Sequence, residues 1–221
     1  EQIKEELGIS QQSVRNLVTK LVRNGWLVRV KRGYFAIANL ESHNFSNISP
    51  LVISQVLVPD SYVSLDFALN YHGFFDQLSN TVTAVTSSRA KIFQFQELRY
   101  KYVKANTRMM TGFKEVSIEG QHANVASLEK TLLDFLHFRK DIYTIDLLIE
   151  KLKETQDEIN VQKIIGFSMV YPVTLRRRLG FLLDMTGIDS EELYLGLKGT
   201  PGFAKLTKKS DLFNAKWRLY Y

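Results

Sequence analysis

Residues 9 to 37 constrain this chain more than any other stretch. Val14, Leu17, Val18, Leu21 and Val22 recur at i, i+3, i+4, i+7 and i+8, which is one apolar stripe at helical period. The spacing predicts a helix from about Gln11 to Asn24, entered from Ile9-Ser10. Its opposite face reads Gln12, Ser13, Arg15, Asn16, Thr19, Lys20 and Arg23. These are the side-chain types that pair with base edges and phosphates in a major groove. Asn24-Gly25 ends the helix, because glycine takes the left-handed position after a helix at little steric cost. Two short strands follow, Trp26 to Val30 and Tyr34 to Ile37, around the basic tip Lys31-Arg32-Gly33. A short helix from Gln2 to Leu7 and a turn at Gly8 precede them. A polar helix face is common, and so is a basic hairpin tip. The order of helix, turn, helix and basic hairpin within forty residues is far less common, and it predicts a winged helix-turn-helix over residues 1–38. The helix that ordinarily precedes such a module is not seen, so the chain reads as starting inside it.

Charge follows the same division. The first forty residues hold seven basic side chains against three acidic ones, so they carry +4 of the chain's net +6. The other 181 residues are therefore nearly neutral. A module that contacts phosphates requires this placement. Candidate DNA-binding residues are thus Gln12, Ser13, Arg15, Asn16, Thr19, Lys20, Arg23, Lys31 and Arg32.

The 221 residues contain no cysteine, which excludes disulfides, thiolate metal sites and a cysteine nucleophile and fits a cytoplasmic location. No run approaches eighteen apolar residues, so no membrane span is expected. His43, His72, His122 and His137 have no metal-ligand spacing. There is no Gly-x-Ser-x-Gly elbow, and the glycines between Gly196 and Gly202 lack phosphate-loop order. Pro59-Asp60 with Glu97-Leu98-Arg99 is the nearest approach to a metal nuclease, with arginine where lysine is required. No enzyme activity, cofactor or metal is expected. Arg176-Arg177-Arg178 reads as a solvated helix edge, with a phosphate or acidic-partner contact as the other reading.

Beyond an Asn- and Ser-rich linker at 39–47, residues 48–221 read as a second domain. Ile48 to Val58 predicts a helix, and Asp60-Ser61 a second helix through Tyr71 that ends at His72-Gly73. Strands are expected at Thr81 to Thr86, Ile92 to Phe95 and Tyr100 to Lys104. A hairpin follows, from Phe113 to Val125. Helices are expected from Ser127 onward, then at Ile145 to Lys153, Val161 to Met169, Thr174 to Met185 and up to Leu197. The tail around Trp217 to Tyr220 predicts a strand. The fold class is α+β, a winged helix-turn-helix followed by a mixed sheet-and-helix C-terminal domain.

Within this second stretch the residues Tyr62-Val63-Ser64-Leu65-Asp66-Phe67-Ala68-Leu69-Asn70-Tyr71-His72-Gly73-Phe74, then Asp76-Gln77, stand out. So do Val125-Ala126-Ser127-Leu128-Glu129-Lys130-Thr131-Leu132-Leu133-Asp134, Arg178-Leu179-Gly180-Phe181-Leu182-Leu183 and Lys216-Trp217-Arg218-Leu219. In this order they resemble the AbiEi antitoxins of bacterial type IV (abortive infection) toxin–antitoxin systems. The resemblance covers nearly the whole chain. It implies a winged helix that binds inverted repeats in the operon's own promoter. It also implies a second domain that counteracts a nucleotidyltransferase-like toxin, with no need for a stable complex. The chain has no Gly-Ser dipeptide of the kind that toxin would use to hold nucleotide phosphates. The alternative from the residues alone is a stand-alone winged-helix regulator whose second domain senses a ligand or dimerises. Glu129 and Asp134 fit fold roles.

Overall fold

The computed structural model describes residues 2–38, 48–77 and 79–221. The expected linker at 39–47, and His43 within it, lie outside the described residues. The chain is a mixed α+β protein. Helix α1 (Gln2–Leu7) leads through Gly8 to α2 (Gln11–Arg23). Ser10 caps α2: its side chain accepts from Ser13 N at 3.1 Å and satisfies one of the free amides of the first turn. At the far end Gly25 stands at φ +77, with Gly25 N bonded to Val22 O and Trp26 N to Leu21 O. This is a Schellman closure, and it turns the chain into β1 (Leu27–Lys31) and its antiparallel partner β2 (Tyr34–Ile37).

The rest is built on a six-stranded sheet. Helix α3 (Pro50–Leu57) precedes β3 (Ser61–Val63), α4 (Asp66–Tyr71) and β4 (Thr81–Thr86). Then come β5 (Lys91–Phe95), β6 (Leu98–Lys104), β7 (Phe113–Ile118) and β8 (Gln121–Ala126). The strand order is β5-β6-β4-β3-β8-β7. Pairs β3–β8 and β4–β6 are parallel, and the others antiparallel. Glu119 and Gly120 both take positive φ, which suits the two-residue turn of the β7–β8 hairpin.

One expectation is corrected here. A helix from Asp60-Ser61 to Tyr71 is not formed. Ser61–Val63 instead pairs between β4 and β8, with all three residues buried, and only Asp66–Tyr71 is helical. Tyr62 and Val63 favour a pleated surface, and Leu65 at φ 56 breaks the chain between strand and helix. Sequence spacing alone read one continuous helix across that break.

Successive strand residues point to opposite faces, so Tyr62 and Tyr102 lie on different sides of the sheet. Tyr102 donates to Ser54 O of α3 at 2.7 Å, and Tyr62 donates to Asp134 on the other side. Asp134 belongs to α5 (Leu128–Phe138), a helix buried along most of its length. Around α5 pack α6 (Ile142–Glu154), α7 (Val161–Ser168) and α8 (Val173–Thr186). Helix α9 (Glu191–Leu197) follows, and a small sheet closes the chain. It is made of β9 (Ala204–Lys205), β10 (Phe213–Asn214) and β11 (Leu219–Tyr220), in the order β10-β11-β9. None of the described helices is long and apolar enough to cross a membrane.

Candidate nucleic-acid interface

The two faces of α2 separate as its period requires, except that Val22, expected on the apolar stripe, is exposed. Val14 is buried and Leu17, Val18 and Leu21 are half-buried, whereas Gln12, Ser13, Arg15, Asn16, Thr19, Lys20 and Arg23 are all exposed. At 100° per residue these seven fall within one arc of roughly 160°, less than half the circumference. Four of them sit in a different state from the one that composition suggests. Ser13 Oγ lies 2.9 Å from Ser10 Oγ, so it is drawn into the cap. Thr19 Oγ1 donates back to Arg15 O at 2.8 Å and leaves its methyl outward. Gln12 Nε2 donates to Asn16 Oδ1 at 3.2 Å, which pre-orders two amides along the helix. Arg15, Lys20 and Arg23 form no ion pair with any described carboxylate, so their charges are not spent within the fold.

At the hairpin tip the two cations differ. Arg32 is exposed beside Gly33, which stands at φ +82 in the turn. Lys31 is half-buried with its Nζ 4.4 Å from the Tyr34 ring centroid. Burial, and then the charge of nearby Lys91, lower the Lys31 pKa. Lys31 is therefore partly engaged with Tyr34, whereas Arg32 is exposed. Arg29, exposed on β1 and paired opposite Phe35, adds a further outward cation. The alternation Val28-Arg29-Val30 carried that signal in the sequence.

The second region uses its charge differently. Asp134 Oδ1 accepts from Lys130 Nζ at 2.8 Å and from Tyr171 Oη at 2.6 Å; Oδ2 accepts from Tyr62 Oη at 3.0 Å and Ser64 Oγ at 2.9 Å. Lys130 Nζ also donates to Tyr171 Oη. Burial, and then the Asp134 charge, push the Tyr62 and Tyr171 phenols well above their ordinary range, so both remain donors. Burial lowers the Lys130 pKa against the pull of Asp134. Lys130 and Asp134 are each 1% exposed, so their charges are met within the fold. Their geometry ties β3, α5 and the segment before α8 together. Glu129 accepts from Ser127 Oγ at 2.8 Å and pairs with Lys163 at 3.0 Å, also within the fold.

The arginine triplet is not a solvated edge. Arg177, 2% exposed, donates to Thr200 O, Thr200 Oγ1 and Pro201 O, while Arg178 Nε donates to Lys205 O at 2.6 Å. The carbonyls lie more than twenty residues away, which periodicity on one helix cannot report. His72 stands at the C-cap of α4 and lies 2.8 Å from Ala126 O through Nε2. Among the described residues no group of three histidines, aspartates or glutamates is placed to hold a metal. A cleft of about 550 Å³ is lined by Phe74, Asp76, Tyr143, Asp146, Glu150 and Glu154, among others. Its carboxylates give it the wrong sign for a phosphate backbone.

The sequence matches no family model and no curated protein. Among solved structures the fold is similar to the crystal structure of the RV2827C protein from Mycobacterium tuberculosis. The TM-score is 0.63 over 93% of this chain and 78% of that one, at 12% sequence identity. At that identity the likeness is one of fold alone.

Proposed function

We propose that α1, α2 and the β1–β2 hairpin form a winged helix-turn-helix that binds double-stranded DNA. On this reading the protein is a cytoplasmic, non-enzymatic antitoxin of the AbiEi type. It represses its own operon at promoter inverted repeats and counteracts a nucleotidyltransferase-like toxin. The observation that carries the DNA-binding part is the exposed face of α2. It presents amides and guanidinium groups on one side of a capped helix, with its cations unpaired among the described carboxylates. Such a surface costs self-repulsion in the free protein and is repaid when phosphates and base edges meet it. The order of motifs from Tyr62 to Leu219 supports the antitoxin part.

A binding assay on operator and random duplexes tests the first part. With Ser13 and Thr19 hydroxyls engaged locally, base reading falls to Gln12, Arg15 and Asn16. Arg15→Ala and Asn16→Ala should each lose about 1–3 kcal/mol on the operator and little on random DNA. Neutralising Lys31 and Arg32 together should weaken binding to every sequence and reduce the salt slope by roughly 1, because Lys31 is half-buried over Tyr34 and Arg32 is the exposed cation of the tip. Equal losses on both duplexes for Arg15→Ala would reduce α2 to a phosphate contact. The second part is tested by co-expression with the product of the neighbouring gene: growth arrest by that product alone, relieved by this protein, is the expected result, and no relief would overturn the antitoxin reading.

A further inference from the structure

The small C-terminal sheet has two unlike faces. Ala204 and Leu219 are buried, and β9 and β11 pack on α8 through them. Arg178 of α8 bonds to the Lys205 carbonyl, which fixes the sheet to the helix. The opposite face carries Phe213 and Tyr220, which are register partners, with Lys205 beside Tyr220. Phe203 joins them from the preceding segment. Its ring centroid lies 5.5 Å from that of Tyr220, and the Phe213 ring 5.0 Å from it on the same residue. Lys205 Nζ stands 5.6 Å from the Tyr220 centroid. Phe203 is 61% exposed and Phe213 52%, so two rings that both meet Tyr220 are left more than half open to water. Folding does not require that; a contiguous aromatic patch of this kind marks an interaction surface.

What lies at its edge says which partner fits. The 206–212 loop joins β9 to β10. It forms a cavity of about 510 Å³ with the start of α6, lined by Lys140, Asp141, Ile142, Thr207, Lys208 and Lys209. The one carboxylate lining it is already engaged, since Asp141 accepts from Thr144 N at 2.9 Å and Thr144 Oγ1 at 3.0 Å as the cap of α6. Lys140, Lys208 and Lys209 have no carboxylate partner among the described residues. On the loop itself Lys208 and Lys209 outnumber Asp211, and Lys205 of β9 stands at its start. Exposed rings flanked by unpaired ammonium groups are complementary to unstacked bases joined by phosphates. A duplex hides its base faces and has no use for the rings.

We propose that the outer face of this sheet binds a single-stranded nucleic acid segment. Bases stack on Phe203, Phe213 and Tyr220, and phosphates run toward Lys205, Lys208 and Lys209. This surface is separate from α2 and the hairpin, and it does not depend on the duplex reading of that site.

Fluorescence anisotropy on the full chain tests it, with labelled twelve-nucleotide oligo(dT) and oligo(rU) and a random duplex of the same length. Both single strands should bind at low salt, and the tighter of the two identifies the preferred sugar. Phe203→Ala and Phe213→Ala should each weaken single-strand binding about 5-fold or more, given what one stacked base contributes. Phe213→Leu should weaken it as well, because it keeps the apolar surface and loses the ring. Lys208→Gln with Lys209→Gln should reduce the single-strand salt slope by about 1.4. None of these changes should alter duplex binding, and Lys20→Gln with Arg23→Gln on α2 should show the reverse pattern. Thermal melts check that the exposed substitutions leave the fold intact. Failure of wild type to bind either oligonucleotide would overturn the proposal and leave the patch to a protein partner. So would unchanged affinity in the phenylalanine variants, or loss of single-strand binding in the α2 variant.

Discussion

Residues 2–38 and residues 48–221 handle polar chemistry in opposite ways. In the first region only Val14, Leu27 and Ala38 are buried among the described apolar side chains, and its cations other than half-buried Lys31 are exposed. In the second, two oppositely charged groups are buried outright and bonded to each other and to two tyrosines. A surface whose charges are unspent is available to a ligand. A buried network whose members satisfy one another is committed to the fold, and it is costly to leave partly filled. Residue type alone does not separate these cases. Arg15 and Arg177 look alike in the sequence, yet one is free in water and the other holds carbonyls of a distant turn.

The sharpest test of the contrast is Asp134→Ala. It leaves the Lys130 ammonium and two phenols without their acceptor, and a broken buried pair typically costs about 3–5 kcal/mol. The urea midpoint should fall accordingly. Arg15→Ala, by comparison, should leave the midpoint unmoved. A small effect of Asp134→Ala would mean that water enters and replaces the carboxylate, and the committed network would be a wrong description.

Gly180→Ala comes next. A Cβ there would stand 2.2 Å from the Trp217 ring, which is 1% exposed and held by a hydrogen bond from Nε1 to Asp184 at 2.7 Å. The ring cannot yield without breaking that bond, so overpacking should cost about 1–3 kcal/mol. Equal thermal stability of variant and wild type would show that Trp217 has room to move.

Much of this architecture is legible in the residues. The stripe on α2, the Ser10 cap, the Gly25 stop and the existence of a hairpin between Phe113 and Val125 are local, and local periodicity and turn chemistry report them; the turn itself falls at Glu119-Gly120, one residue before the expected Gly120-Gln121. What is not legible depends on distance. Ser61–Val63 is a strand because β4 and β8 flank it, and the β preference of Tyr62 and Val63 is too short a run to announce that alone. Asp134 meets Tyr62 and Ser64 from about seventy residues away. An apolar helix carrying Lys130 and Asp134 at i, i+4 hints at a buried pair, but it does not say which partners complete it. The outward face of α2 is legible as a candidate interface because its meaning lies in residue types on one helix. Its finer state is not, since Ser13 and Thr19 spend their hydroxyls on the backbone and the cap.

Ser10→Ala probes the thin core of the first region. The loss of one cap is worth about 1 kcal/mol. With so few buried contacts to resist it, the effect should appear as local opening. Amide exchange in α2 should speed up about 5-fold while the main thermal transition stays in place. A shift of the whole transition instead would mean that the two regions unfold together, and the contrast between them would be one of surface only.

The smallest effect expected is one of pH, and it belongs to the second region. His137 is half-buried, with its ring 5.2 Å from that of Tyr171. Burial lowers its pKa first of all. Asp134 pulls the other way, while Lys130, Lys140 and Arg178 add to the lowering. The unfolded chain therefore binds the proton more readily than the folded one. The stability tied to neutral His137 is fully present above the ordinary histidine value, near pH 6.5, and is lost as pH falls through the lower folded value. Carboxylates titrate in the same experiment, so the comparison must be made against a variant that differs only here. His137→Gln should lose less of its urea midpoint between pH 7.5 and 5 than wild type does. Equal losses would mean that the imidazole finds solvent when it is charged. The edge of the buried network would then be open to water, and the committed interior would stop short of His137.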